Sequence, residues 1–171
     1  MKNMAEEYIL NDHNKEEFPP AHTAEHLLNQ LMMRMFGCER SNNAHVERKK
    51  SKISYILDHK PDRKEEREIE QSMNELIAED LPVTFDFVTR AELEGMVMEA
   101  EADSPDARIS LDRLPDDASE TIRLVRIGNY DVCPCIGKHV RSTSQIGRFE
   151  MLGTNWDNDK HSFRIRYKVI L

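Results

Sequence analysis

The chain has 171 residues, of which 39% are hydrophobic and 33% charged, and it contains three cysteines. These values exclude a membrane-spanning protein and a secreted domain built on disulfides, and they indicate one soluble domain of the reducing cytoplasm. The net charge of −8 at pH 7 argues at first sight against a nucleic-acid partner.

The charge is distributed unevenly along the chain. Residues 61–120 carry 19 acidic and 6 basic side chains, whereas residues 121–171 carry 4 acidic and 9 basic ones. The net charge is therefore −13 in the middle of the chain and +5 at its end. A local anion-binding face is thus compatible with an acidic total.

The first predicted element is a helix that follows Pro19 and Pro20. Apolar residues recur at helical spacing as far as Phe36, and Gly37 is placed to end the helix. The next elements in chain order are a strand at 53–57, a charged amphipathic helix at 62–80, a strand at 82–88, and a helix from a capping box at Thr89 and Glu92 to about Glu101.

The rest of the chain predicts a loop followed by strands. Residues 103–119 are rich in Asp, Pro and Ser and predict a loop with a short strand. Strands are expected at 121–127, 145–152 and 162–170, with the last two forming a hairpin through residues 153–158. Clustered strands with hairpin connections favour an α+β domain with an antiparallel sheet over a doubly wound fold. No glycine-rich phosphate-binding loop is present in the sequence.

Two short motifs carry metal-binding side chains. His22 and His26 are four residues apart on the first predicted helix, so both rings can reach one point. Cys135 and His139 have the same spacing across a loop that contains Gly137. Three imidazoles and a thiolate suit Zn²⁺, and the two motifs together predict one zinc site, although each alone is weak evidence.

Two residues close to the second motif are expected to lie near that site. Cys133 shares a strand face with Cys135, and we expect it beside the ligands or in a substrate pocket, or as a small apolar filler. Asp131 could orient a ligand histidine or could be an ordinary solvated loop residue.

A zinc peptidase is an alternative interpretation, because residues 22–26 also match the H-x-x-E-H signature. Glu25 would then be the general base, and an acidic residue such as Glu65, Glu66 or Glu94 would be the third ligand. This interpretation leaves Cys135 and His139 without a role.

Several segments resemble one known family. Residues 22–28, HTAEHLL, resemble the opening motif of the editing domain of alanyl-tRNA synthetases, which also occurs in threonyl-tRNA synthetases and free-standing AlaX proteins. Residues 135–140, CIGKHV, and 143–147, TSQIG, resemble two further motifs of that domain. Residues 69–77 and 82–83 resemble its intervening helix and strand, so the similarity covers about residues 18–170.

The resemblance implies a fold, a cofactor and a reaction. It implies an α+β fold whose sheet wraps around a central helix, and Zn²⁺ held by His22, His26, Cys135 and His139, which act through the metal and a water. It implies hydrolysis in trans of misacylated tRNA, with Ser- or Gly-charged tRNA-Ala as the expected substrate. A threonyl-type activity on Ser-charged tRNA is the alternative within the family. We expect a lead-in at 1–17 and a single zinc-binding editing domain at 18–171.

The resemblance also assigns neighbours of the metal and a surface for tRNA. Residues expected around the ligands or in the substrate pocket are Thr23, Asp131, Cys133, Gly137, Lys138 and Thr143. Residues expected to contact tRNA are Arg141, Arg148, Arg164, Arg166 and Lys168. Cys133 stands where the family commonly has an acidic residue, and Lys138 also departs from the common loop sequence. These departures leave open a non-catalytic, zinc-stabilised tRNA-binding module.

Overall fold

The computed structural model describes residues 17–103 and 121–171, and the side chains of 97–103 are left out of the description. The helices are α1 (Pro19–Phe36), α2 (Arg63–Ala78) and α3 (Arg90–Asp103), with a 3₁₀ helix at Thr143–Ile146. The strands are β1 (Asn43–His45), β2 (Ser51–Ile56), β3 (Val83–Thr89), β4 (Thr121–Ile127), β5 (Asp131–Pro134), β6 (Arg148–Asp157) and β7 (Ser162–Ile170). None of the helices in this described part has the length and apolar character needed to cross a bilayer.

Helix α1 lies at the centre of the molecule. It begins at the two prolines, and Gly37 ends it in the left-handed conformation, with φ of 67° and its N–H donating to Met33 O. The side chains from Pro20 to Met32 are buried on almost every side, including the polar Asn29 and Gln30. A helix that is buried all round must have other elements packed around it.

A four-stranded antiparallel sheet of order β1-β2-β7-β6 packs against α1. The alternation predicted for the last strand is confirmed, since Phe163, Ile165 and Tyr167 are buried in the core. The Tyr167 hydroxyl donates to Ala21 O at 3.1 Å, which joins the sheet to the first turn of α1. The α+β fold with an antiparallel sheet around a central helix is therefore confirmed.

Helix α2 packs along the β6 edge of this sheet. Asp62 and Glu65 form a capping box at its start. The Asn74 side chain then bonds both backbone groups of Phe149 in the edge strand β6: its Nδ2 donates to Phe149 O, and its Oδ1 accepts from Phe149 N, each at 2.9 Å. The side-chain amide thus takes the place of a neighbouring strand.

A second antiparallel sheet, of order β3-β4-β5, brings the second predicted motif to α1. One face of this sheet contributes Val125 and Ile127 to the main core. The other face packs on α3 through Leu124 and Leu93. The capping box predicted at Thr89 and Glu92 is confirmed by hydrogen bonds in both directions.

The predicted number and length of the strands were partly wrong. Four strands, not three, follow α3 in the described chain, because residues 131–134 pair with β4. The predicted connection at 153–158 belongs largely to β6, whose bulge between Met151 and Gly153 interrupts the alternation that marks a strand. Gln145 lies in the 3₁₀ helix instead of the strand. Residues 1–16 of the predicted lead-in at 1–17, and residues 104–119 of the predicted loop at 103–119, lie outside the described residues.

Candidate metal centre

Helix α1 and the loop after β5 bring the two motifs to one place. His22 and His26 lie one turn apart on α1, and Cys135 and His139 lie on the loop. One donor atom from each of these four residues lies within 4.8 Å of every other. For tetrahedral zinc with bonds of about 2.0–2.3 Å, neighbouring donor atoms are roughly 3.3–3.8 Å apart. The four side chains are thus close to the spacing that a single ion requires.

A polar group lies beside the Nδ1 atom of each of the three imidazoles. His22 Nδ1 donates to Lys138 O at 3.1 Å, and His139 Nδ1 lies 2.9 Å from Thr23 Oγ1. His26 Nδ1 lies 3.8 Å from the buried Oδ2 of Asp131. When Nδ1 carries the proton in each ring, the Nε2 lone pairs are left for a metal.

An unsatisfied buried atom supports the fit to a metal. His139 Nε2 is buried and has no hydrogen-bond partner among the residues the structure describes. An imidazole nitrogen in that state costs free energy unless something binds it. Three imidazole nitrogens and a thiolate form a donor set that zinc prefers, so the residues fit the ion.

Electrostatic interactions within the cluster favour the thiolate. Burial raises the pKa of Cys135, but its hydrogen bond to His22 and the charge of that ring outweigh burial, so the pKa is lowered overall. Burial lowers the pKa of His22, but Cys135 and Glu25 outweigh it, and the pKa is raised. Burial, His22 and Arg123 lower the pKa of His139 to about 3, which keeps that ring neutral. A thiolate and a neutral imidazole are the forms that bind zinc.

Gly137 allows the loop to approach α1 closely. A Cβ atom added at this position would lie 2.3 Å from His22 Cε1 and 2.8 Å from His22 Nδ1. Gly137 thus lies beside the candidate ligand His22, as expected from the sequence. A larger residue would clash with the His22 ring at this position. Lys138 is exposed, and it contributes its backbone carbonyl to His22 and its N–H to Glu17.

Sequence reasoning missed two arginines around the centre. Arg123 on β4 donates from Nε to Cys135 O at 2.7 Å and from Nη2 to Gly137 O. The side chain of Arg40 is 5% exposed and donates to Asp131, which also accepts from Gln30 at 3.0 Å. No spacing rule links either arginine to the motifs, because both contacts depend on which elements become neighbours in the fold.

Three of the predicted neighbours have distinct environments. Thr23 Oγ1 contacts His139 and accepts from Val140 N, so it lies at the cluster. Cys133 is buried, with its side chain 4% exposed, and is not one of the four clustered donors. Thr143 is buried, and its hydroxyl donates to Leu76 O and accepts from Leu81 N at the end of α2. Its expected place beside the ligands or in the substrate pocket stays a prediction.

The predicted tRNA-contacting cations do not form one group around the centre. Arg164, Arg166 and Lys168 alternate with the buried residues of β7, so they lie on the face of the sheet turned away from α1. Arg148 is exposed and pairs with Glu150, which also pairs with Lys168. Arg141 lies closer, in an open groove of about 660 Å³ that His139 also lines, together with Pro19, Pro20 and Gln145.

The peptidase interpretation is not supported by these positions. The two histidines of α1 are grouped with Cys135 and His139, and no acidic residue joins that group within the described chain. The three suggested acidic ligands have other contacts: Glu65 caps α2, Glu66 accepts from Thr154, and Glu94 pairs with Arg90.

The fold and the centre together define an α+β domain with a His₃Cys cluster that could hold a metal ion, and comparison with known proteins gives its family. Residues 122–165 match the family described as "Threonyl and Alanyl tRNA synthetase second additional domain". The alanine–tRNA ligase of Methanococcus vannielii is 30% identical over 149 residues, which cover 85% of this chain and 15% of the ligase. The alanyl-tRNA editing protein AlaX-L of Pyrococcus horikoshii is 27% identical over 146 residues, covering 85% of this chain and 32% of AlaX-L.

The chain carries a domain of this family, and the resemblance predicted from the motifs is confirmed. The alanine–tRNA ligase of Bacillus subtilis gives a similar match, 27% identical over 145 residues. The chain spans about a third of the length of AlaX-L and 15% of the length of either ligase.

Proposed function

We propose that this protein is a zinc-dependent aminoacyl-tRNA deacylase that hydrolyses misacylated tRNA in trans, with Ser- or Gly-charged tRNA-Ala as its substrate. The observation that carries the proposal is the convergence of His22, His26, Cys135 and His139 in a domain of the synthetase editing family. We assign the editing domain to residues 18–171.

The chemistry needs positioning more than strong activation. The ester between an amino acid and the tRNA 3′ end is reactive, so a correctly held water is enough for a large acceleration. Zinc, when bound, would orient or polarise that water or hold the amino or hydroxyl group of the substrate. Lys138 O and Thr23 Oγ1 orient the rings of His22 and His139 by hydrogen bonds at Nδ1, and the Asp131 carboxylate lies 3.8 Å from Nδ1 of His26.

The groove beside His139 suits the terminal nucleoside of the tRNA. The pyrrolidine rings of Pro19 and Pro20 offer an apolar wall, and Arg141 offers a cation for a phosphate. The Gln145 Oε1 atom accepts from Arg141 N, so the amide is held and its NH₂ group can bind a base. We assign this groove to the end of the tRNA because it begins at a residue of the metal cluster.

The test is deacylation of tRNA-Ala charged with Ser, Gly or Ala, and of Ser-charged tRNA-Thr, by the wild type and by Cys135→Ala. We expect rapid hydrolysis of a misacylated tRNA-Ala by the wild type and loss of at least 100-fold in the variant, because one of four donors is gone. Cys38→Ala removes a half-buried thiol outside the cluster and is the matched control. Preference for Ser-charged tRNA-Thr would move the substrate to the threonyl type.

A non-catalytic tRNA-binding module is the second candidate. The feature that favours it is Cys133, which stands where the family commonly has an acidic residue. In that case all charged tRNAs would be bound and none hydrolysed, and Cys133→Glu would be the variant to examine for restored hydrolysis.

A further inference from the structure

The loop that carries Cys135 and His139 is held mainly by side chains. Cys135 N donates to Arg123 O at 3.2 Å, which continues the pairing of β5 with β4 for one more residue. Beyond that point Lys138 N donates to Glu17 Oε1, and Gly137 N donates to Cys135 Sγ. Two of the four candidate metal donors thus lie on a segment without regular secondary structure.

The guanidinium of Arg123 bridges two carbonyls of this loop. Its Nε donates to Cys135 O at 2.7 Å, and its Nη2 donates to Gly137 O. Its plane is fixed on the other side by the ring of Phe85, whose centroid lies 4.5 Å from the guanidinium carbon. Two carbonyls on either side of Ile136 are therefore held by one rigid fork, a geometry that lysine cannot reproduce.

We propose that Arg123 is a positioning residue for the metal loop. It is not one of the four clustered donors, and it acts by fixing the backbone from Cys135 to Gly137. This fixes the direction of Cys135 Sγ and the start of the turn that brings His139 back to α1. The inference rests on the proposed metal centre but does not depend on hydrolysis of tRNA.

The role is separable from folding. Strand β4 is paired along its whole length with β3 and along four residues with β5, independently of the Arg123 side chain. Arg126 provides a matched control because it lies on the same strand, is likewise half-exposed, and faces the other side of the sheet, where it pairs with Asp86. The two variants remove the same side chain from the same strand, and only one of them releases the loop.

The experiment measures zinc affinity by competition with a chromophoric chelator, and the thermal unfolding of each metal-free protein. Arg123→Ala is expected to bind zinc about 10–100-fold more weakly than the wild type. The zinc affinity of Arg123→Lys should lie between those of the wild type and Arg123→Ala, because a lysine can keep one of the two carbonyl contacts. Arg126→Ala should bind zinc like the wild type. Cobalt substitution adds a second readout, since a loosened loop should weaken the thiolate charge-transfer band of Arg123→Ala.

Wild-type zinc affinity in Arg123→Ala would overturn the proposal. So would a loss of affinity matched by Arg126→Ala, or one fully accounted for by unfolding of the metal-free protein. A wild-type protein that does not bind zinc would refute the metal centre itself. Absence of deacylation with these affinities as expected would refute only the proposed function.

Discussion

At the scale of single residues, the candidate centre depends on side chains that orient other side chains. The Nδ1 atom of each histidine lies close to an oxygen that can accept a hydrogen bond from it. These oxygens belong to Asp131 on β5, Lys138 on the metal loop and Thr23 on α1. Such outer contacts typically account for a 10–100-fold effect on metal affinity. The donor spacing was predictable from two i, i+4 pairs. Thr23, Asp131 and Lys138 were expected around the ligands, but the sequence did not show which atom of each lies beside which ring.

The sharpest prediction at this scale concerns Gly137. In Gly137→Ala the new Cβ would lie 2.3 Å from His22 Cε1, so either the ring or the loop must move. We expect zinc affinity to fall at least 10-fold and deacylation to fall with it. The control is Gly95→Ala on α3, where an added Cβ meets nothing within 4 Å. Equal zinc affinities in wild type and Gly137→Ala would show that the close approach is not needed.

Asp131 combines a role in stability with its contact to His26. Its side chain is 0% exposed and accepts hydrogen bonds from Arg40 and Gln30. Replacement by Asn leaves the buried Arg40 charge uncompensated, so the free energy of unfolding should fall by about 3–5 kcal/mol. Urea unfolding of the metal-free protein measures this. Asp86→Asn breaks the half-exposed pair with Arg126 and should cost less than about 1 kcal/mol. If Asp131→Asn lowered the free energy of unfolding by as little as Asp86→Asn, the buried network would not be a source of stability.

At the scale of secondary structure, α2 closes the sheet that surrounds α1. Its Glu70 accepts from Met151 N, and its Asn74 accepts from and donates to Phe149, so the helix satisfies the edge of β6. The same helix ends at the buried hydroxyl of Thr143. The short segments that resemble the family between the two metal motifs are thus explained by contacts that hold the sheet.

Asn74→Ala should uncover the edge of β6. Both Phe149 backbone groups would lose their partner in a partly buried place, at a cost of about 1–3 kcal/mol in the free energy of unfolding. Chemical denaturation measures the loss, with Gln71→Ala as the control, since Gln71 is exposed and bonds only to Glu75 in the described contacts. Hydrogen exchange locates the change, because the Phe149 amide should exchange faster in Asn74→Ala but not in Gln71→Ala. An unchanged rate for that amide would mean that water replaces the side chain without cost.

The sequence determined what is local in this fold and left open what depends on neighbours. The end of α1 at Phe36, the capping box at Thr89 and the alternation of β7 depend on local sequence and were predicted correctly, whereas α1 begins at Pro19 and not after the two prolines. The extent of β6 was not predicted correctly, because the extra residue at the bulge breaks the period of two. Arg123 and Arg40 escaped notice because an arginine on a strand or loop carries no signal until the fold brings it to a carbonyl or a carboxylate.

At the scale of the whole molecule, the arginines predicted to contact tRNA are divided between two surfaces. Arg141 lies in the groove that starts at the metal cluster, whereas Arg164 and Arg166 lie on the outer face of the four-stranded sheet. If the 3′ end of a tRNA binds in the groove, then a different part of its backbone must contact the outer face of the sheet. The two surfaces should therefore contribute differently to recognition, one to the reacting end and the other to general phosphate contact.

The outer face can be tested separately from the groove. Reversal of Arg164 and Arg166 to Glu should weaken binding of full-length tRNA. The slope of log affinity against log salt concentration should become shallower by about 0.7–0.9 for each phosphate contact that is lost. Arg141→Ala should instead raise KM for both full-length tRNA and a short aminoacylated acceptor helix, with kcat largely kept. Reversal of Lys64 and Arg67 on the exposed side of α2 changes the net charge equally and is the control. Equal weakening by both double reversals would mean that net charge alone matters, and an unchanged salt dependence in the Arg164 and Arg166 reversal would exclude the outer face from contact with the RNA.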